Sequence, residues 1–252
     1  MTKTSCSLSA PRDRIAVAPT PTDLAVTAAT WVVEALQETL DRQPRAVWLA
    51  TAGKTPVATY RNLAHHHRDS LDWSRVTILQ MDDCPAHTPD RSFAAQLLRE
   101  LVGPLGTDAH LMRATDGSFD PLPYLSTLPE IDVALHGIGR NGHVGFNEPG
   151  TTVAEWGEVE LARTTCEDMG MVIPALGFTL GLDRLARAQR SLLIATGEHK
   201  RRAVSGLLEG SPGCPAAKLW PSRLEVLVDA AAAPYELTAA KHLTAARVPE
   251  HV

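Results

Sequence analysis

Between His136 and Gly150 the chain reads His-Gly-Ile-Gly-Arg-Asn-Gly-His-Val-Gly-Phe-Asn-Glu-Pro-Gly, so that Gly137, Gly139, Gly142 and Gly145 are interleaved with Asn141, His143 and Glu148. Glycines permit a tight path and a close approach of backbone to ligand. Histidine changes charge near neutral pH, and an amide and a carboxylate at this spacing can converge with it as one hydrogen-bonded unit. A loop that only cradles a nucleotide phosphate has no use for those three polar groups. A second candidate lies upstream, where Asp82 and Asp83 follow the apolar run Val76-Thr-Ile-Leu-Gln-Met81. A carboxylate at the carboxyl end of a strand is partly desolvated and can serve as a base. Two adjacent acids in a solvated turn are the plainer alternative.

Two further segments suit an anion. Thr51-Ala-Gly-Lys-Thr-Pro56 leaves a strand and enters a helix, so Thr51, Ala52, Gly53, Lys54 and Thr55 bring hydroxyls, backbone N–H groups and one ammonium to a helix N-terminus. The glycine spacing of a Walker A loop is missing. Lys200, shortly after Gly197-Glu198 at the start of a helical stretch, can also reach an anion. His65, His66 and His67 are consecutive on a predicted helix and point in different directions, so they read as surface rather than as ligands of one ion. Cys84 beside the two acids has no evident base and reads as packing.

The elements that must position these residues follow from periodicity. Residues 46–50, 76–81, 131–135, 191–195 and 224–228 are short apolar runs that predict strands. Residues 22–40, 56–67, 93–102 and 200–208 predict helices, the first with Thr22 as its N-cap. Strands alternating with helices predict an open α/β sheet with parallel strands and ligands at their carboxyl ends. Residues 1–20 read as a loose leader or a first edge strand around Ile15–Ala18, residues 21–235 as one domain, and residues 236–252 as a tail.

Composition narrows the partners. The 252 residues are 44% hydrophobic and 21% charged, with a formal net charge of -5, and no basic surplus marks a nucleic-acid binder. A small-molecule partner is expected. Cys6, Cys84, Cys166 and Cys214 are scattered, which fits free thiols in a reducing compartment rather than a disulfide scaffold or zinc site. Neither a signal peptide nor a membrane-spanning run is evident, so the cytoplasm is the expected location.

The chain resembles the glucosamine-6-phosphate deaminase/isomerase family, which also includes 6-phosphogluconolactonases. The likeness runs from about Thr22 to Ala233 through Leu49-Ala-Thr-Ala-Gly-Lys-Thr-Pro56, Met81-Asp-Asp83, Gly137 to Pro149, and Thr196-Gly-Glu-His-Lys200, with Cys214-Pro-Ala-Ala-Lys-Leu-Trp220 before the last strand. The resemblance implies a modified Rossmann-like fold, mostly parallel and flanked by helices, with no metal and no organic cofactor. It implies that Asp82 is the proton-shuttling base, that His143 helps open the pyranose ring, and that Asn141 and Glu148 orient His143. Asp83 is expected to assist by position. It further implies that Gly137, Gly139 and Gly142 shape the substrate site and that Lys200 binds a sugar phosphate.

Departures bear on the substrate. The family's phosphate-binding arginine, carried after the Gly-rich motif, has no counterpart, and Glu155-Trp-Gly-Glu-Val-Glu160 is acidic. Lys54 stands where the family has a small residue and can supply the missing positive charge. The opposite expectation is that Glu167 and Asp168 favour an unphosphorylated or more cationic amino sugar. Lactone hydrolysis, isomerisation without ammonia loss, and silent sugar binding are the rival functions. Phe146-Asn-Glu-Pro149 with Met81-Asp-Asp83 looks like the deaminase branch. Monomer and homo-oligomer both occur among the relatives.

Overall fold

The computed structural model describes residues 14–114 and 116–237. Cys6, most of the expected leader and most of the expected tail lie outside the described residues. Strand β1 (Ile15–Ala18) leads into helix α1 (Pro21–Leu40). The helix starts two residues earlier than its periodicity suggests, because Thr20 is the N-cap. Its Oγ1 accepts the Asp23 N–H at 3.2 Å and donates to the Asp23 carboxylate at 2.7 Å, with Pro21 at the first helical position. β2 (Ala46–Ala50), α2 (Val57–His66), β3 (Val76–Gln80) and β4 (Asp82–Asp83) follow. Helix α3 (Phe93–Leu97) runs on through a π turn at Leu98–Val102 and the short α4 (Gly103–Leu105) to β5 (Asp108–His110).

The second half comprises α5 (Pro121–Ser126), β6 (Val133–Gly137), β7 (Trp156–Glu160), α6 (Arg163–Met169), β8 (Leu176–Leu180) and α7 (Leu182–Leu185). It closes with β9 (Arg190–Ala195), α8 (Arg201–Leu208) and β10 (Leu224–Asp229). Seven strands form a parallel sheet in the order β1-β10-β9-β6-β2-β3-β5. From the adjacent pair β2 and β6, successive strands run outward in opposite directions. That reversal is a topological switch point, where loops at the carboxyl ends diverge and leave a crevice.

Alternation along the strands supplies both faces of the sheet. Leu49, Ala134, Leu193 and Ala195 join one core cluster, which α5, α7 and α8 cover through Tyr124, Leu185 and Leu207. Trp48, Val133, Leu135, Leu192 and Ile194 join the other, covered by α1 and α2 through Val32, Leu36, Tyr60 and Leu63. Each fully buried aliphatic side chain contributes about 1.5–3 kcal/mol, which fixes the strand register and, with it, the height at which each strand delivers its last residue.

A second sheet, absent from the sequence-based expectation, has the order β4-β8-β7 and is antiparallel. The acidic stretch 155–160 belongs here. β7 pairs with β8, while Glu155 binds Arg187 at 2.7 Å and Arg184 at 3.4 Å. Glu155 is spent on the protein's own arginines, Glu158 and Glu160 are exposed, and none of the three lines the crevice. Among the described residues no helix is long and apolar enough to cross a membrane.

Candidate active site

The crevice at the switch point contains a cavity of about 170 Å³ that opens into a groove of about 1350 Å³. Thr51 to Thr55, Asp82, Gly137, Gly139, His143 and Lys200 all line the smaller cavity, although they come from the ends of four different strands. Parallel strands in register bring those ends to one level, which is why segments far apart in sequence share one surface.

Asp82 forms the deepest acidic wall. β4 pairs Asp82 with Thr179 of β8, and the carboxyl is 5% exposed. Burial pushes its pKa up to about 8, and the neighbouring Asp83 charge pushes in the same direction. Asp83, the next residue, points into the protein. Its carboxylate accepts from Arg113 Nε at 2.9 Å, from the Cys84 N–H at 2.8 Å and from Gln80 Nε2 at 3.2 Å. Burial alone would raise the Asp83 pKa, but hydrogen bonds from His87 and Arg113 and the Arg113 charge bring it below the ordinary range. Asp83 does not line the cavity; it anchors the loop that carries Asp82, so any assistance it gives runs through that loop.

His143 faces Asp82's cavity from the Gly-rich turn, and every group behind it has a partner. Glu148 Oε2 lies 3.5 Å from His143 Nδ1 and accepts from Asn141 Nδ2 at 2.8 Å. Asn141 Oδ1 accepts the His143 backbone N–H at 3.2 Å. Burial would raise the Glu148 pKa, but hydrogen bonds and charge from His143, with Thr165 and Asn141, bring it below the ordinary range. Asn141 and Glu148 thus stand behind the histidine, outside the cavity lining.

Two glycines make the turn possible. A Cβ on Gly139 would lie 2.2 Å from His143 Cε1, so the imidazole rests directly on that backbone. Gly142 has φ +85°, and a Cβ there would lie 2.7 Å from Cys214 Sγ. Gly142 lies outside the cavity lining, packed on Cys214, with its carbonyl accepting from the Ala216 N–H at 3.0 Å.

The anion side is built from two loops. Gln96 on α3 clamps Gly53 through Gly53 N–H to Oε1 at 3.1 Å and Nε2 to the Gly53 carbonyl at 2.7 Å. Tyr60 donates to the Thr51 carbonyl at 2.6 Å. Across the cavity, buried Asp229 accepts the Gly197 N–H at 3.0 Å and fixes the turn that launches Lys200. Partial burial lowers the Lys200 pKa, Asp168 opposes that, and Arg140 adds to it.

Several contributors were not legible from the motifs. Thr165 Oγ1 lies 3.1 Å from His143 Nδ1, and Thr165, Asp168 and Met169 bring α6 onto the cavity. The segment reads as a shortened lid; only helical spacing of Thr165 and Asp168, three residues apart, hints that they share a face. Phe93 and Phe146, stacked at 5.8 Å, form an apolar wall. His65 and His66 are exposed, and among the described residues no group of three or more His, Cys, Asp or Glu converges as a metal site.

Residues 19–228 match the family model of glucosamine-6-phosphate isomerases/6-phosphogluconolactonase. The chain is 32% identical to a glucosamine-6-phosphate deaminase of Streptomyces avermitilis over 82% of its own length and 88% of the relative's. It is 33% identical to one of Corynebacterium aurimucosum over 87% and 92%. A monomeric glucosamine-6-phosphate deaminase of known structure superposes with a TM-score of 0.75 at 27% identity, covering 87% of this chain and 98% of that one. A putative 6-phosphogluconolactonase of Neisseria gonorrhoeae, at 21% identity and a TM-score of 0.72 over 85% and 98%, shares the fold.

Proposed function

The chain belongs to the family of glucosamine-6-phosphate isomerases and 6-phosphogluconolactonases, and from that premise we propose that it is an amino-sugar-phosphate isomerase/deaminase. Its reaction converts a 2-amino-2-deoxy-aldose 6-phosphate of the glucosamine 6-phosphate type into a ketose phosphate and ammonia. The observation that carries this reading is one cavity walled by a desolvated carboxyl, Asp82, and a carboxylate-backed histidine, His143. Lactone hydrolysis moves no proton to or from carbon and needs no base placed beside C1 and C2 of an open-chain sugar. A 1,2-proton shift requires one.

In the proposed sequence His143 takes the proton of the anomeric hydroxyl and returns one to the ring oxygen, opening the pyranose to its aldehyde. Glu148, Asn141 and Thr165 hold the imidazole in place. Asp82 then removes the C2 proton, the C–H electrons form the C1=C2 bond, the carbonyl oxygen on C1 takes a proton from the ammonium at C2, and an enolamine forms. The same carboxyl returns that proton to C1, leaving an imine at C2. Water adds there and ammonia leaves, so one water is consumed for each ammonia released. A protonated amine at C2 brings a cation beside Asp82 and favours its ionised form. Lys54 and Lys200 supply the charge for a phosphate at the mouth.

The buried, unpaired thiols Cys84, Cys166 and Cys214 fit a reducing cytoplasm. The decisive test is ammonia and ketose release from glucosamine 6-phosphate by the wild-type and Asp82→Asn proteins, with 6-phosphogluconolactone as the parallel substrate. Ammonia from the wild type alone supports the reading. Lactone turnover without ammonia would replace it with the hydrolase.

A further inference from the structure

The family arginine expected after the Gly-rich motif is missing from the sequence, yet a guanidinium stands directly behind the cavity lining, on Asp168. Arg140, inside the Gly-rich turn, binds Asp168 of α6 side-on, with Nε donating to Oδ2 at 2.8 Å and Nη2 to Oδ1 at 2.7 Å. Asp168 lines the cavity beside Lys200 and Lys54. The Arg140 and Asp168 side chains are 40% and 42% exposed.

We propose that Arg140 is a further phosphate-binding group of this site and that Asp168 is its exchangeable counter-ion, displaced when the phosphate of the substrate takes its place on the guanidinium. This rests on the reading of the substrate as a sugar phosphate. Three observations carry it. The fork that matches a carboxylate bidentately matches a phosphate in the same way, which a lysine cannot do. An ion pair this exposed is held weakly, and a phosphate bears about 1.5 to 2 negative charges against one for Asp168, so exchange favours the phosphate. Lys54 and Lys200 line the cavity with Asp168, and Arg140, paired to Asp168 from outside the lining, brings a third positive charge to the same corner. Lys200 feels both Asp168 and Arg140 electrostatically, so the charges act on one volume.

The test combines calorimetric binding of fructose 6-phosphate and inorganic phosphate with KM for glucosamine 6-phosphate and glucosamine, in wild type, Arg140→Gln, Asp168→Asn and the double variant. Arg140→Gln is expected to weaken binding of the phosphorylated ligands about tenfold or more and to leave KM for glucosamine unchanged. Asp168→Asn is expected to tighten phosphate binding several-fold, and that gain shrinks once Arg140 is gone. Unchanged phosphate affinity in Arg140→Gln, weaker binding in Asp168→Asn, or no phosphate binding by the wild type would overturn the proposal. A merely structural pair would raise KM for both sugars alike. Wild-type phosphate binding without ammonia release would defeat the deaminase reading while leaving this one standing.

Discussion

The floor and the rim of the cavity are built by opposite means. The floor, with Asp82 and His143 backed by Glu148 and Asn141, stands on strand ends and a glycine turn whose backbone is hydrogen-bonded into the fold, with Glu148 buried and Asn141 half-buried. The rim, with Lys54, Arg140, Asp168 and Lys200, consists of long or exposed side chains at loop and helix surfaces. Proton transfer to carbon demands fixed geometry and a desolvated base. Recognition of a phosphate needs charge within reach, and mobile side chains supply it. Chemistry resides on the frame, and substrate choice on the part of the site that is easiest to change.

The largest effect should separate floor from rim outright. Asp82→Asn is expected to lower kcat about 10²–10⁴-fold, the usual worth of a positioned acid/base, with an unchanged circular dichroism spectrum, whereas substitution of Lys54 should act on KM. For the wild type, kcat/KM should rise with pH up to about 8, as the Asp82 carboxyl ionises. A flat profile through that range would remove Asp82 from the role of base.

Within the floor, Asp82 and Asp83 can be set against each other by stability. Asp83→Asn leaves Arg113, 5% exposed at its side chain, without its buried partner and should cost about 3–5 kcal/mol in denaturant unfolding. Asp82 carries the opposite sign. Its folded pKa of about 8 lies above the ordinary 3.8, so the folded state binds more protons between those values and stability falls as pH rises through that window. Asp82→Asn should flatten that slope, by up to about 1.4 kcal/mol for each pH unit.

Glu148→Gln tests the support behind His143. Loss of a charge-assisted contact worth about 1.5–3 kcal/mol should reduce kcat about 10–100-fold with little change in phosphate affinity. An effect on KM alone would place Glu148 with the rim.

The smallest effect probes the frame away from catalysis. His136 is fully buried on β6, neither ring nitrogen has a hydrogen-bond partner, and burial lowers its pKa to about 4. Strand alternation puts it on the face of Ala134, within the core that Leu193 joins. His136→Leu removes two unsatisfied polar atoms and should raise unfolding stability by about 1–2 kcal/mol without changing kcat.

By itself the sequence determined the parallel core strands and the chemical types at their ends. Short apolar runs and glycine-bounded turns are local signals, and the Gly-rich motif with Asp82, His143, Asn141, Glu148 and Lys200 could be read from them. The structure gathers those five at one cavity or directly behind it. Only the tertiary structure decided the antiparallel sheet, which depends on pairing between Asp82–Asp83 and a strand nearly a hundred residues later. It also decided the divergent fates of two adjacent aspartates, because burial and the Arg113 contact are non-local. Gly142 lies outside the cavity lining for the same reason, since Cys214 occupies the space a Cβ would take. At the rim the sequence showed an arginine missing, and the fold placed Arg140 beside Lys200. Charge types are written in the chain, but which charges share a volume is settled by packing, where desolvation and distance set their strength.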